Sequence, residues 1–196
     1  MEGKYHYVNR DEPLNKHDHI VFNLDDGKQL RYNDTRKFGR MKLVSLDNYA
    51  NELPLSKLGP EPFYADEKKL YEKLHKCNLP IKHALLDQSI IAGIGNIYAN
   101  EICFAMGLDP YTPASKLTKK SVKELIEVAS IILNEAIKQG GTTIHSFSAN
   151  GIDGLFQVKL KVHLQKKCSI CGGEITKEAI KGRGTYYCKK CQKRRR

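Results

Sequence analysis

The sequence has little that would place the chain in a membrane or outside the cell. No apolar run approaches the length needed to span a bilayer, and residues 1–4, Met-Glu-Gly-Lys, do not begin a secretory signal peptide. Both absences favour a cytoplasmic chain, in which thiols stay reduced. With 196 residues, 40% of them apolar, the chain can form one large domain or two or three small ones with cores of their own.

Acidic residues are scarce at the C-terminal end. Between residues 159 and 196, thirteen lysines and arginines accompany only Glu174 and Glu178, so this segment carries +11, the entire net charge of the chain. A neutral body with a strongly basic end is typical of proteins that bind polyanions, and nucleic acid is the expected partner. A membrane surface is disfavoured because no apolar helical face accompanies the basic residues.

Two Cys-x-x-Cys pairs lie inside this basic segment, Cys168 with Cys171 and Cys188 with Cys191, separated by sixteen residues. This spacing predicts a zinc ribbon in which four thiolates surround one structural zinc ion. Two disulfides are an alternative that a reducing compartment disfavours, and a rubredoxin-like iron site is rarer among such motifs. The other two cysteines, 77 and 103, are expected to be small buried hydrophobic residues.

The first fifty residues show the alternation of β-strands. Apolar residues alternate over 20–24 and again at Leu30 and Tyr32, and Asp25-Asp26-Gly27 between them predicts a hairpin turn. Residues 41–46 predict a further strand. So small a sheet is a poor independent unit, because its apolar face needs a partner layer that the sequence does not visibly supply.

Helical patterns follow a proline-rich linker at 53–62. Asp66 is expected to cap a helix with apolar positions at Leu70 and Leu74, and a second helical stretch covers 81–88. The longest helix is predicted over 118–139, with one apolar stripe that belongs to the core and Gly140 as its stop.

A glycine turn separates these helices. Gly93 and Gly95 permit close backbone approach, and Asn96 is expected to cap a helix that runs through Phe104 and Met106. An exposed helix N-terminus of this kind suits a DNA phosphate, although an ordinary turn between helices has the same pattern. Residues 140–156 are long, polar and glycine-rich, which predicts either a loop that covers a ligand or a plain linker.

The ordered motifs of this chain resemble the formamidopyrimidine-DNA glycosylase family, bacterial enzymes that excise oxidised purines such as 8-oxoguanine. The resemblance extends over essentially the whole chain. It rests on Lys-His-Asp-His at 16–19, Asp-Thr-Arg-Lys-Phe-Gly at 34–39, Leu-Gly-Pro-Glu-Pro at 58–62, the glycine turn and helix at 93–101, Gly-Gly-Thr-Thr at 140–143, and the ribbon with Gly-Arg-Gly-Thr at 182–185.

The resemblance implies an α+β multidomain fold. Residues 1–50 would be the C-terminal part of a β-sandwich domain, residues 63–145 a helix-two-turn-helix domain, and residues 146–196 a lesion-covering loop and a zinc finger. The implied function is base-excision repair by a bifunctional DNA glycosylase and apurinic/apyrimidinic lyase. Its partner would be double-stranded DNA with oxidised purines or abasic sites, bound by a monomer in the bacterial cytoplasm.

By resemblance, Lys82, Asn96 and Arg183 bind phosphates around the lesion. Arg183 is also implied to donate the proton in the later elimination step. A guanidinium suits the phosphate contact because its fork matches phosphate oxygens and its charge is permanent. His17 resembles a position that contacts DNA, and a buried or surface histidine would have the same appearance in the sequence.

Met1, Arg36 and Phe38 resemble the trio that fills the gap left when the damaged nucleotide is flipped out, with Arg36 facing the orphaned base. Apolar wedges and one hydrogen-bonding cation are what base extrusion requires. A core position beside a strand is the alternative for Phe38. The segment 142–156 resembles the family's flexible cover over the flipped base.

The sequence departs from the family in its catalytic groups. The family uses an N-terminal proline as nucleophile, a neighbouring glutamate as acid and a lysine on an early strand, and none of these matches a residue here. Met1 aligns with an internal methionine, so the chain is expected to begin inside the first domain and to bind DNA without excising bases. The rival interpretations are a non-enzymatic, zinc-dependent damaged-DNA-binding protein and an RNA-associated zinc-ribbon protein.

Overall fold

The structure, a computed structural model, describes residues 3–140 and 160–195 and has an α+β architecture. A three-stranded sheet comes first, a helical region follows, and a two-stranded ribbon closes the described chain. The strands are β1 (Lys4–Asn9), β2 (Asp18–Asn23), β3 (Lys28–Asn33), β4 (Thr176–Ile180) and β5 (Arg183–Tyr187), and the helices are α1 (Glu67–His75), α2 (Ile81–Leu85), α3 (Asn96–Ala105) and α4 (Lys119–Lys138).

The first sheet is antiparallel with strand order β1-β3-β2. The predicted hairpin is confirmed: β2 and β3 pair with Phe22 opposite Leu30, and the turn contains Gly27 at φ 79°. That left-handed conformation costs glycine little, which explains its position. The sheet also contains β1, which the sequence analysis did not predict, and Tyr7 of β1 lies opposite Leu30 on the other side of β3.

The strand predicted over 41–46 is wrong, because residues 41–45 have no regular secondary structure and residue 46 begins a turn. Leu43 is fully exposed at 100% and Leu46 is 88% exposed. The segment is rich in apolar residues, but both edges of β3 are occupied by β1 and β2. A strand needs a hydrogen-bonding partner as well as a pattern, and this segment pairs with no strand among the described residues.

The two faces of this sheet differ in character. The face that carries Tyr5, Tyr7, Ile20 and Phe22 is apolar, and all four side chains are exposed. On the opposite face Arg31 is buried and donates hydrogen bonds to two carbonyl oxygens in the β1–β2 connection, at 2.7 and 2.9 Å. The expectation that the sheet's apolar face lacks a partner layer therefore holds within the described residues.

Helices α1 and α4 begin where local signals predict, whereas α2 ends at Leu85, before the predicted end at residue 88. The Asp66 carboxylate accepts a hydrogen bond from the Lys69 N–H at 2.8 Å ahead of α1, and the Thr118 hydroxyl accepts one from the Ser121 N–H at 3.2 Å ahead of α4. Gly140, at φ 71°, follows the end of α4. The apolar stripes of α1 and α4 meet α2 and α3 in one core that includes Leu74, Ile81, Leu85, Ile102, Val122 and Leu125.

The ribbon packs against α3. Strands β4 and β5 are joined by Lys181 and Gly182, both with positive φ, as a two-residue hairpin turn requires. Phe104 of α3 lies in a small second core with Val162, Tyr186 and two of the ribbon cysteines. No helix among the described residues has the length and apolar character to cross a membrane.

Candidate nucleic-acid interface and metal centre

Four cysteine thiols converge at one end of the ribbon. The Sγ atoms of Cys168, Cys171, Cys188 and Cys191 all lie within 4.8 Å of one another. The pairs 168–191 and 171–188 are separated by 3.7 and 3.6 Å. A tetrahedron with Zn–S bonds of about 2.3 Å places its sulfur atoms about 3.8 Å apart, so these four thiols fit a zinc ion with no position left for water.

Backbone hydrogen bonds shape both cysteine turns. The N–H of Gly172 donates to the Cys168 carbonyl at 2.9 Å, and the Gln192 N–H donates to the Cys188 carbonyl at 2.9 Å. The buried Gln192 side chain also donates to the Leu108 carbonyl at 2.9 Å, which ties the second turn to the helical region. The metal centre is thus attached to the helices as well as to its own ribbon.

A buried polar cluster joins α3 to the segment that leads into the ribbon. The Asn100 amide donates to Nδ1 of His163 at 2.7 Å, and its oxygen accepts from the Tyr186 N–H at 3.4 Å. The Glu101 carboxylate accepts from the N–H groups of Lys161, 162 and 163 at 2.9, 3.0 and 2.8 Å. Burial, with a smaller contribution from the charge of Lys82, lowers the pKa of His163 to about 4.

A second polar contact joins the ribbon to the loop before α4. The Tyr111 hydroxyl donates to the Glu178 carboxylate at 2.7 Å, and Lys189 lies 3.5 Å from the same carboxylate. The tyrosine hydrogen bond holds the pKa of Glu178 below its usual value, while the same bond raises the pKa of Tyr111 to about 12. The ribbon and the segment that leads into it are therefore hydrogen-bonded to the helical region at two places, at Asn100 and Glu101 of α3 and at Tyr111.

The N-terminus of α3 does not have the cap that the sequence predicted. Gly95 is the N-cap residue and has no side chain to offer, while Asn96 is the first residue of the helix. The Asn96 amide instead donates to the Gly184 carbonyl at 3.2 Å, and its Oδ1 is buried without a hydrogen-bond partner. The helix start is thus left without a side-chain cap, and such a terminus attracts anions.

Arg183 lines a groove together with this helix terminus. The groove has a volume of about 440 Å³, and its walls include Gln88, Ile94, the residues 95–98 and Arg183. The Arg183 side chain is exposed at the start of β5. A permanent cation and an uncapped helix N-terminus on one groove are complementary to a phosphate. The structure therefore brings together two of the residues that the sequence singled out for phosphate binding.

Lys82 lies nearby but is 0% exposed. Its amine donates to the Gly184 carbonyl and to the Thr185 hydroxyl, both at 2.8 Å. Burial lowers the pKa of Lys82 to about 8, and the charge of Arg183 contributes in the same direction. The family resemblance implies a DNA phosphate as the partner of Lys82, whereas in this structure its amine contacts the ribbon.

Arg36 and Phe38 lie on a separate turn after β3. The Arg36 guanidinium carbon is 4.6 Å from the centre of the Phe38 ring, and Phe38 is 55% exposed, so it is not a core residue. The buried Asp34 carboxylate accepts from the N–H groups of residues 36 and 39 at 3.1 and 2.8 Å. These bonds hold the pKa of Asp34 below its usual value, the bond from residue 39 contributing most.

The remaining predicted residues have mixed positions. His17 is half-buried beside this turn: its carbonyl accepts from the Asp34 N–H at 3.1 Å, and its ring lies 6.4 Å from that of His19. Met1 and the covering segment predicted at 142–156 lie outside the described residues.

Sequence reasoning missed the polar residues that hold these parts in place. Asp34 was included in a motif without a role, and Asn100, Glu101 and His163 were given none. The signal for Asn100 and Glu101 was available, because two adjacent polar residues interrupt an otherwise apolar helix. Buried polar groups in such a place need partners, and here the partners are the segment 161–163 and β5.

Three protein-family models match parts of the chain. Residues 1–41 match the formamidopyrimidine-DNA glycosylase N-terminal domain, and residues 58–148 match the formamidopyrimidine-DNA glycosylase H2TH domain. Residues 165–194 match the zinc finger found in FPG and IleRS, a range that contains all four clustered cysteines. Together with the thiol geometry, this match assigns one structural zinc ion to the ribbon.

Whole-chain relatives agree with these matches. The formamidopyrimidine-DNA glycosylase of Bacillus licheniformis is 46% identical over 99% of this chain and 72% of its own length. A crystal structure of a Lactococcus lactis FPG mutant with DNA that contains Fapy-dG has a TM-score of 0.91 and 40% identity, and covers 99% of this chain and 73% of that one. The Lactococcus lactis Fpg complex with abasic-site DNA has a TM-score of 0.90 and 41% identity, with the same coverage.

Proposed function

The chain belongs to the formamidopyrimidine-DNA glycosylase family, the DNA glycosylases of base-excision repair, and from this premise we propose that its helical region and zinc finger bind duplex DNA around a damaged nucleotide. The observation that supports this most strongly is the groove that Arg183 and the uncapped N-terminus of α3 line together. One phosphate fits between a guanidinium and helical N–H groups, so the helical region and the finger would hold the same DNA backbone.

The distribution of charge also supports DNA binding at this surface. The segment 159–196 carries the whole net charge of +11, and most of that segment is the finger. A field concentrated at one end attracts DNA to that end, and the metal centre keeps the basic residues in a fixed arrangement. We place the protein as a monomer on the bacterial chromosome in the cytoplasm.

The turn at 34–39 is the proposed probe of the base stack. Arg36 and Phe38 are exposed, stacked on each other and held by the buried Asp34 carboxylate. We propose that Phe38 enters the gap left by an extruded nucleotide while Arg36 bonds to the orphaned base, with Met1 as the second wedge and His17 as a nearby DNA contact. A rigid turn suits this role, because a wedge must not yield when it separates stacked bases.

The substrates we propose are oxidised purines and abasic sites. Related solved structures hold DNA with Fapy-dG and DNA with an abasic site. The family resemblance also assigns Arg183 the proton donation in an elimination step that follows base removal. We propose this lyase step as part of the complete family reaction. In it, the phosphate that Arg183 binds would be the leaving group of the elimination.

The excision step itself is proposed to need groups that the 196 residues do not supply. No position among them matches the family's proline nucleophile with its neighbouring glutamate. A polypeptide of these residues alone would then bind damaged DNA without removing the base. A non-enzymatic, zinc-dependent damaged-DNA-binding protein is the second candidate function.

Binding and its salt dependence test the proposed surface. If Arg183 and several finger lysines neutralise about four to six phosphates, log K should fall against log salt with a slope of about −4 to −5 on a duplex with an abasic-site analogue. Arg183→Ala should flatten this slope by about one unit. Lys68→Ala removes an exposed lysine of α1 that does not line the groove, and it should leave the slope unchanged. An unchanged slope for Arg183→Ala would remove Arg183 from the interface.

A further inference from the structure

Two side chains of the helical region donate to a single carbonyl oxygen of the finger. The Lys82 amine, on α2, and the Asn96 amide, at the start of α3, donate to the Gly184 oxygen at 2.8 and 3.2 Å. Gly184 follows Arg183 directly in β5. The carbonyl next to the proposed phosphate ligand is therefore fixed from two directions.

The contact extends along the backbone on both sides of Gly184. Lys82 also donates to the Thr185 hydroxyl at 2.8 Å, and that hydroxyl donates to the Arg183 carbonyl at 3.1 Å. The carbonyl oxygens of Arg183 and Gly184 and the side chain of Thr185 thus belong to one network that ends in Lys82. Lys82 and Asn96 both supply side-chain hydrogen bonds from the helical region to this network.

Burial separates Lys82 from any ligand in the groove. Lys82 and Thr185 are both 0% exposed, whereas Arg183 is exposed. Lysine is rarely fully buried unless its amine is hydrogen-bonded, because desolvation of the charge is costly. Here two acceptors compensate that cost, and both belong to the finger. The amine is therefore committed to the finger backbone rather than to solvent.

We infer that Lys82 is a positioning residue: by holding the Gly184 carbonyl and the Thr185 hydroxyl, it aims Arg183 at the phosphate. This inference rests on the proposed function of Arg183 and adds a role for a residue that does not itself touch the DNA. Arg183 lies just beyond the turn at Lys181 and Gly182, where a short hairpin has few restraints of its own. A side chain aimed by a fixed backbone loses less freedom when it binds.

A double-mutant cycle distinguishes positioning from direct contact. Lys82→Met preserves length and volume but removes the amine, and it is combined with Arg183→Ala. The measurement is the slope of log K against log salt for an abasic-analogue duplex. If Lys82 acts through Arg183, each single variant flattens the slope by up to about one unit, and the double variant flattens it no further than Arg183→Ala.

Other outcomes overturn the inference in recognisable ways. If the double variant flattens the slope of log K against log salt by about two units, Lys82 has a phosphate contact of its own. A Lys82→Met protein that binds like the wild type would mean that the amine does not position Arg183. If Arg183→Ala alone has no effect on the slope, the proposed function of Arg183 and this inference fail together, a pattern that neither other outcome produces.

A second variant keeps the test valid if Lys82→Met does not fold. Thr185→Val is nearly isosteric and removes the hydroxyl that links Lys82 to the Arg183 carbonyl. Because Thr185 is fully buried, it cannot contact DNA. It should weaken binding in the wild-type background and have no effect beside Arg183→Ala, and an equal effect in both backgrounds would overturn the inference. Zinc content and thermal melting of each variant verify that the finger is intact.

Discussion

The carboxylate of Glu101 accepts a hydrogen bond from the backbone N–H of His163 at 2.8 Å, 62 positions away in the sequence. The same carboxylate accepts from the two preceding N–H groups. One side chain of α3 thereby satisfies three consecutive backbone donors at the entrance to the finger. An acceptor with this many charge-assisted bonds has no equal substitute among uncharged side chains.

Glu101→Gln should destabilise the protein. The amide oxygen can replace one carboxylate oxygen, but its NH₂ group would then face a backbone donor that needs an acceptor. Losing a hydrogen bond to a charged group is expected to lower the free energy of unfolding by about 1.5–3 kcal/mol. Urea denaturation measures this, with Glu127→Gln on the exposed side of α4 as the matched control. Equal stability of the two variants would contradict the anchoring role of Glu101.

The buried His163 predicts a pH dependence of stability. Its Nδ1 accepts from the Asn100 amide, whose orientation is fixed by the Tyr186 N–H, so a protonated ring would place two donors face to face. The pKa of His163 is about 4 in the folded state, below its ordinary value of 6.5. Between these values the unfolded chain binds the proton and the folded chain does not, so stability falls as pH decreases from 6.5 towards 4.

The size of this effect is up to about 3 kcal/mol, since one pKa unit corresponds to about 1.4 kcal/mol. The measurement is the difference in unfolding free energy between the wild type and His163→Gln across this pH range. Because both proteins contain the same cysteines, acid effects on the metal site cancel in the difference. The wild type should lose its relative stability as pH falls, and two parallel curves would show that His163 takes up its proton equally in both states.

Removing one zinc ligand should unfold the finger. Structural zinc contributes on the order of 10–16 kcal/mol of apparent binding free energy in small fingers, far more than a two-stranded ribbon can gain from its own core. Cys171→Ser should therefore lose both the metal and the finger fold. Cys77→Ser, which changes a cysteine outside the cluster, is the control and should keep one zinc per chain.

Elemental analysis of the purified proteins measures the zinc directly. Wild-type protein should contain one zinc ion per chain. A wild-type stoichiometry near zero, or four cysteines oxidised in pairs, would contradict a structural zinc site.

A polypeptide of the 196 residues should not excise 8-oxoguanine. Attack at the sugar needs an amine held against the anomeric carbon with acid and base groups beside it. Orientation of this kind is worth about 7–11 kcal/mol, so an amine that is not held against the anomeric carbon reacts far more slowly. Borohydride trapping on an 8-oxoguanine duplex is the measurement, with a full-length family member as reference and a preformed abasic site as control. A covalent adduct formed at the reference rate would show that a competent nucleophile is present after all.

Local structure could be predicted where the determining residues are neighbours. Asp66 and Thr118 each cap a helix through an N–H only three positions away, so the starts of α1 and α4 were visible in the sequence. The metal centre could be predicted for the same reason, because the two cysteines of each Cys-x-x-Cys pair are close in the sequence. The strand expected at 41–46 failed because strand formation depends on a distant partner, and this segment pairs with no strand among the described residues.

The parts of the site that could not be predicted depend on distant contacts. Lys82 meets its acceptors 102 and 103 positions away, and Asn96 meets Gly184 at a distance of 88 positions. Nothing near Lys82 in the sequence indicates a finger carbonyl as its partner, and a lysine in a DNA-binding protein is ordinarily expected on the surface. Similarly, the family motif identified Asn96, but only the fold shows that its amide faces the finger instead of capping its own helix.

The exposed apolar face of the first sheet affects how unfolding should be measured. Among the described residues, the exposed side chains of Tyr5, Tyr7, Ile20 and Phe22 form an apolar surface. The fluorescence of environment-sensitive dyes increases when they bind such surfaces, and this increase is usually interpreted as a sign of a partly unfolded state. A folded polypeptide of these 196 residues should therefore already bind such dyes, so a dye-based melt would start from a high baseline. With no tryptophan in the sequence, tyrosine emission or circular dichroism is the better optical signal of its unfolding.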